Sequence, residues 1–226
     1  TSGCVALKGT TAYHQQSPFI TNATIKENIL FGTEYDEKRF NRVLDCAALR
    51  PDLEILEGGL QTEIGEKGIN LSGGQKARIS FARCLYNKAD ILLMDDPLSA
   101  VDANVCEIMF NDAIKNFVLT EQKNKTVVLV THQVQVLSKC DLVVVFDTDG
   151  SLRACCKHSE LAANGVNLNE LEAEIEEEIA IRESIVAGDD GDTGNAVDTD
   201  GEVEGDSESF RARVNSISLR RTSEDR

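Results

Sequence analysis

Three unbroken apolar runs mark the second half of the chain: Ile91-Leu92-Leu93-Met94, Thr126-Val127-Val128-Leu129-Val130 and Leu142-Val143-Val144-Val145-Phe146. Short runs without polar alternation fit strands buried on both faces. Between the first two, Asp102 to Phe117 has a helical period that puts Val105, Ile108, Met109 and Ala113 inward. Strands separated by helices predict a largely parallel α/β core. Asp149-Gly150 should turn the third run back into Leu152.

The first half reads differently. Val5 to Lys8 and Thr11 to His14 are strand candidates split by Gly9, a hairpin-like opening. Thr24 can cap a helix that Gly32 stops, and Asp36 can cap a second one with Phe40, Val43, Leu44 and Ala47 in one stripe. Pro51 begins a short helical piece ending at Gly58-Gly59, and turn-prone residues from Gln61 to Asn70 lead to Ser72. Residues 20–86 thus form a mostly helical subdomain set between strands. Beyond Asn169 a helical period persists to about Ile185, and after Gly188 the composition cannot bury enough surface to fold.

Composition changes the picture in two places. The net charge is −16, but residues 170–226 hold 18 acidic and 6 basic residues, so most of the acidity belongs to the tail. With no basic stripe elsewhere, nucleic acid is not expected as a partner. Seven cysteines without a C-x-x-C pair suit reduced thiols better than a disulfide framework or a zinc site. A calcium loop across the tail fails, because setting Gly201 at the sixth position leaves Ala196 first and Ser207 last.

The candidate chemistry centres on Leu71-Ser72-Gly73-Gly74-Gln75. Two glycines let backbone amides approach an anion, Ser72 can cap the following helix, and a helix N-terminus favours negative charge. An N-capped surface helix is the plain alternative. Two strand ends strengthen the phosphate reading: Asp95 could hold Mg²⁺, Asp96 could touch an attacking water, and His132 could orient a γ-phosphate. His14 and His158 are expected to be ordinary surface residues.

In this combination the chain resembles the nucleotide-binding domain of ABC transporters over residues 1–165. Leu71 to Gln75 matches the signature, Ile91 to Asp95 the Walker B strand, Ser99-Ala100-Val101-Asp102 the D-loop, His132 the switch histidine and Gln16 the Q-loop glutamine. Asn22 to Gly32 and Asp95 to Asp102 resemble the first such domain of subfamily C, the multidrug resistance-associated transporters. The resemblance implies a P-loop NTPase-type, mostly parallel sheet with an inserted helical subdomain, followed from residue 166 by an acidic, disordered linker. It also implies ATP and Mg²⁺ as cofactors, with Asp95 and Gln16 as metal ligands. Its partners would be a second nucleotide-binding domain and the transmembrane domains, at the cytosolic face of a membrane.

Two departures qualify this. No G-x-x-x-x-G-K-[ST] occurs, so the chain is expected to be a fragment starting after Walker A and to bind ATP poorly alone. Asp96 stands where hydrolytic members carry glutamate, so its site is expected to be slow. The family's head-to-tail dimer implies that Ser72, Gly73, Gly74 and Gln75 complete the partner's site, while Asp95, Asp96, Gln16 and His132 belong to the weaker one. A regulatory module without turnover and a soluble ABC ATPase are the alternatives. Arg213-Val214-Asn215-Ser216 and Arg220-Arg221-Thr222-Ser223 match arginine-directed kinase patterns, which makes Ser216 and Ser223 candidate phosphosites for a basophilic kinase.

Overall fold

The three apolar runs fall in one sheet. Strands β1 (Thr11–His14), β2 (Ile91–Asp95) and β3 (Thr126–Thr131) are parallel neighbours, with Thr11 opposite Ile91 and Ile91 opposite Thr126. Strands β4 (Val143–Phe146) and β5 (Leu152–Cys156) form an antiparallel hairpin through Asp149-Gly150, where Gly150 takes φ 81°. A short strand β6 (Ser216–Leu219) lies between β3 and β4, giving the order β1-β2-β3-β6-β4-β5. This computed structural model describes Cys4 and residues 6–65, 71–99, 101–122, 124–147, 149–189 and 216–219.

The hairpin expected at the start does not form. Residues Ala6 to Lys8 are not in a strand, and β1 pairs with β2. The Asp90 carboxylate decides this, accepting from the backbone N–H of Thr10 at 3.0 Å and from its hydroxyl at 2.9 Å, which pins the entry to β1 against the entry to β2. Gly9 is needed there, because it sits at φ 123° and a Cβ would stand 3.0 Å from the Asp90 side chain.

The helical layer follows its caps. Helix α1 (Ile25–Leu30) starts in a reciprocal capping box between Thr24 and Glu27, and α2 (Glu37–Cys46) starts at Asp36, whose carboxylate accepts from the Arg39 amide. The α2 stripe of Phe40, Val43, Leu44 and Ala47 is wholly buried, toward α4 (Gly73–Tyr86) and the segment Met109–Glu121. Arg39 reaches the carbonyls of Leu85 and Tyr86 at the end of α4, at 2.7 and 2.9 Å, closing groups a helix end leaves open. A short helix α3 (Arg50–Ile55) completes the layer.

The expected single helix from 102 to 117 divides. Helix α5 (Ala103–Ile108) is capped by Asp102, and Met109–Glu121 continues it as a π-helix. Ile108, expected inward, is 40% exposed. The buried residues Met109 and Phe110, Ala113 and Ile114, then Phe117 and Val118 recur every four positions. On a 3.6-residue helix such a row drifts by about 40° per turn, and the wider i→i+5 turn keeps it facing the core.

Helix α6 (Leu168–Asp189) docks through its first turns. Leu171 and Ile175 pack with Val143, Val145 and Ala154, while Ile179 is 39% exposed. Packed structure therefore runs past residue 165. Residues 190–215 and 220–226 of the expected linker, with the tested calcium loop and Ser223, lie outside the described residues. Ser216 lies within them, at the start of β6.

Asn28 links helices α1 and α4. Fully buried, its side chain accepts from the Thr21 amide at 2.9 Å and from Arg83 at 3.0 Å, and donates to the Thr21 and Thr24 carbonyls at 3.0 Å. Asn28→Leu is expected to cost about 3 kcal/mol, since it takes the side-chain acceptor from one Arg83 nitrogen and leaves backbone groups at Thr21 and Thr24 without the Asn28 partner. A urea midpoint that moves while the slope stays constant would measure it.

Candidate functional site

The carboxyl ends of β1, β2 and β3 lie along one edge of the sheet, because these strands are parallel and in register. That edge gathers Gln16 just beyond β1, Asp95 at the end of β2, Asp96 after it and His132 after β3. In parallel sheets this is the edge where ligands bind, since the strand-to-helix loops open there. Gln16 is exposed; Asp95 is half-buried, with the Tyr13 hydroxyl 3.4 Å from its carboxylate.

Asp96 holds the most constrained position. Its amide donates to the Val130 carbonyl at 2.9 Å, continuing the β2–β3 ladder by one rung, and its backbone then turns to φ 45°. Aspartate visits this left-handed region more readily than longer side chains do. The Asp96 carbonyl accepts from the Ser99 hydroxyl at 3.0 Å, closing the turn through Pro97 and Leu98. Ser99 and Asp102 are exposed beyond it, Asp102 serving as the cap of α5, and Ala100 lies outside the described residues.

The Asp96 side chain is 5% exposed, and its Oδ1 is buried with no protein partner. Oδ2 stands 4.0 Å from His132 Nε2, and His132 Nδ1 is also unpartnered. Four ångströms exceeds a direct hydrogen bond and suits one interposed group. Burial pushes the Asp96 carboxyl above the usual carboxylate range, and the facing His132 draws it back down. A pair of this kind, buried yet unsatisfied at a strand end, is arranged to receive a polar ligand.

The glycine turn lies in the helical layer. Ser72 accepts from the Gln75 amide at 3.2 Å, and the Gln75 carboxamide accepts from the Ser72 amide at 2.9 Å, a capping box that spends the third amide of α4. The amides of Gly73 and Gly74 have no protein acceptor among the described residues, and nothing lies within 4 Å of a Cβ built on Gly73. A helix N-terminus so left open fits an anion.

Comparison with known proteins now bears on this arrangement. The family description "ABC transporter" matches residues 4–99. Human "ATP-binding cassette sub-family C member 2" is 57% identical over 144 residues, 63% of this chain and 9% of the relative. The chain carries an ABC nucleotide-binding domain of subfamily C. Maize "ABC transporter C family MRP4" is 46% identical over 169 residues, 75% of this chain and 11% of the relative. The "ABC-type transporter cicA" of Emericella nidulans is 47% identical over 162 residues, 72% of this chain and 11% of the relative. The chain therefore spans about a tenth of the length of these relatives. The sheet and helical layer are those of a P-loop NTPase-type fold.

Three residues of this ABC domain escaped the sequence reading. Asp52 of α3 receives Arg78 in a two-pronged ion pair at 2.8 and 2.9 Å and also accepts from Gln75 at 3.2 Å, bracing the glycine turn from behind. An acid and a base 26 positions apart on two helices leave no local pattern to find. His14, expected at the surface, is 1% exposed instead; it ends β1, meets Phe81 edge-on at 6.0 Å, and neither ring nitrogen is partnered. The register that pairs His14 with the buried Met94 turns it inward. His158 is half-buried.

Burial lowers the His14 pKa, against smaller opposing effects from nearby backbone and Asp95. The protonated form is thus disfavoured in the fold. Stability from this residue is present above the unfolded pKa of about 6.5 and is lost as pH falls through the lower folded value. His14→Val is expected to flatten that loss, so the Tm difference between about pH 7.5 and 5.5 should shrink in thermal unfolding.

Proposed function

We propose that this domain is the ATP-binding module of an ABC exporter, coupling ATP binding and hydrolysis at a head-to-tail domain dimer to transport through membrane domains. The observation that carries the reading is the buried, unpartnered Asp96 Oδ1 beside His132, at the end of two parallel strands. Asp96 would accept a proton from the attacking water. His132 would hold the γ-phosphate and sense its loss, and Gln16 would relay the change toward the membrane domains. Ser99 and Asp102 would meet the partner domain along the D-loop.

Mg²⁺ fits this edge in part. Among the described residues no three acidic, histidine or cysteine side chains gather into a metal cage. Mg²⁺ needs none, since it commonly takes one or two protein oxygens beside phosphate and water. Asp95 and Gln16 would hold it. When bound, the ion neutralises charge developing on the phosphates.

Ser72, Gly73, Gly74 and Gln75 would serve a nucleotide held by the second nucleotide-binding domain. In the full-length protein the chain would lie at the cytosolic face of a membrane. A regulatory module without turnover is the second reading, favoured by Asp96 itself, one methylene shorter than glutamate. ATP turnover measured with the complete domain, alone and with its partner, separates them. Turnover that appears with the partner and disappears in Ser72→Ala supports the composite site; turnover indifferent to Ser72 refutes it.

A further inference from the structure

The carboxylate of Asp52 has no acceptor position to spare. It stands in the first turn of α3, where negative charge is favoured, and its side chain is only 14% exposed. Arg78 fills three positions: Nε donates to Oδ2 at 2.9 Å, and Nη2 donates to Oδ1 at 2.9 Å and to Oδ2 at 2.8 Å. Gln75 Nε2 takes the last, donating to Oδ1 at 3.2 Å. A carboxylate offers about four such positions, so this one is fully used.

Gln75 carries this contact to the glycine turn. Its carboxamide oxygen accepts from the Ser72 amide at 2.9 Å, while its own backbone amide donates to the Ser72 hydroxyl oxygen at 3.2 Å. A carboxamide has one accepting end and one donating end, so the carboxylate behind the donating end selects how the group is turned. Reversed, it would set its oxygen against Asp52 and its N–H groups against the Ser72 amide. With the Ser72 and Gln75 amides held in this way, the amides of Gly73 and Gly74 and the Ser72 hydroxyl proton are the donors the turn can offer.

We infer that Asp52 is a positioning residue for ATP turnover, fixing through Gln75 the donors that the glycine turn presents to a nucleotide held by the second domain. The inference rests on the composite site proposed above. Arg78 has the complementary task. Its guanidinium cancels the Asp52 charge in place, so the turn stays attractive to phosphate although a carboxylate stands behind it. The two contacts of Asp52 make different demands. Holding α3 against α4 needs any well-packed pair at positions 52 and 78, because a buried ion pair replaced whole by apolar side chains often costs nothing. Turning Gln75 needs an acceptor at position 52 in particular. Stability and turnover are therefore separable at this residue.

Three variants separate them. Asp52→Leu breaks the pair and removes the acceptor, Asp52→Leu/Arg78→Met removes the pair whole, and Asp52→Asn weakens the pair but keeps an acceptor for Gln75. Thermal unfolding and nucleotide-free amide exchange over Leu71 to Gln75 are read on the complete domain, and ATP turnover on the full-length transporter. Asp52→Leu/Arg78→Met is expected to regain the Tm lost in Asp52→Leu, yet to keep a fast-exchanging Ser72 amide and a kcat about tenfold down with KM little changed, less than the 10²–10³-fold of losing a donor outright. Asp52→Asn is expected to recover most of the turnover and the Ser72 protection without the Tm. Turnover that follows Tm across the variants overturns the inference, as does Ser72 protection that is unchanged in Asp52→Leu/Arg78→Met. If Asp52→Leu fails to fold, the double variant and Asp52→Asn still decide, since equal turnover in those two overturns it. Ser72→Ala, measured beside them, tells the two levels apart. Turnover lost there but intact in the double variant removes only the role of Asp52, whereas turnover indifferent to both removes the composite site with it.

Discussion

Replacing Gly73 with aspartate is expected to lower ATP turnover of the assembled transporter about 10²-fold or more while leaving the domain folded. The fold has no objection to the change, since a Cβ on Gly73 meets nothing within 4 Å and this glycine is not at positive φ. A carboxylate in the first turn even favours the helix, by about 0.3–1 kcal/mol. Phosphate would lose in the same place. The open amides of Gly73 and Gly74 are what the turn offers an anion, and a side-chain carboxylate beside them competes for those donors, so the loss should resemble that of one preorganised donor, typically 10²–10³-fold. A fixed carboxylate adds repulsion. Phosphate release by the transporter and thermal unfolding of the domain give the two readings, and Gly73→Ala, which adds bulk without charge, should fall between. Turnover at the wild-type rate in Gly73→Asp would mean that this helix start never faces a phosphate.

What could be read from the sequence here is what periodicity and caps encode. Thr24, Asp36 and Ser72 each announced a helix by side-chain chemistry local to the turn, and each is a cap in the structure. The apolar runs announced β2, β3 and β4 because strands covered on both faces cannot afford polar interruptions. The opening hairpin failed because a distant carboxylate, Asp90, fixed the partner of β1. The division of the helix at Ile108 failed for a related reason: a four-residue apolar repeat is compatible with α-helix until packing selects the wider turn. At the site, the strand-end positions of Asp95, Asp96 and His132 followed from the pattern alone. The unpartnered Oδ1 and the 4.0 Å gap to His132 did not, being properties of a φ and a burial that no spacing reports.

Asp96→Glu is expected to raise hydrolysis at the domain's own site about 10²-fold in the full-length transporter, the low end of what a well-placed general base contributes. Two costs oppose the substitution. Glutamate tolerates φ 45° less well than aspartate, a strain on the order of 1 kcal/mol, and a carboxylate here is already disfavoured by burial. The first is present equally before and during reaction, so it should lower Tm and leave the chemical step alone. The second helps: a carboxyl held above its usual range is a stronger acceptor for the water's proton, provided it remains ionised at neutral pH. The added methylene carries the carboxylate away from the closed turn at Ser99 toward the strand edge where the γ-phosphate would lie. His132 decides the outcome, because it faces the same space at 4.0 Å and draws the residue-96 carboxyl back down against the effect of burial. His132→Ala should therefore erase the gain in the Asp96→Glu background, leaving hydrolysis no faster than in His132→Ala alone. Single-turnover ATP hydrolysis with the partner domain's own hydrolysis disabled reads this directly, and a gain that survives loss of His132 would move the general base elsewhere.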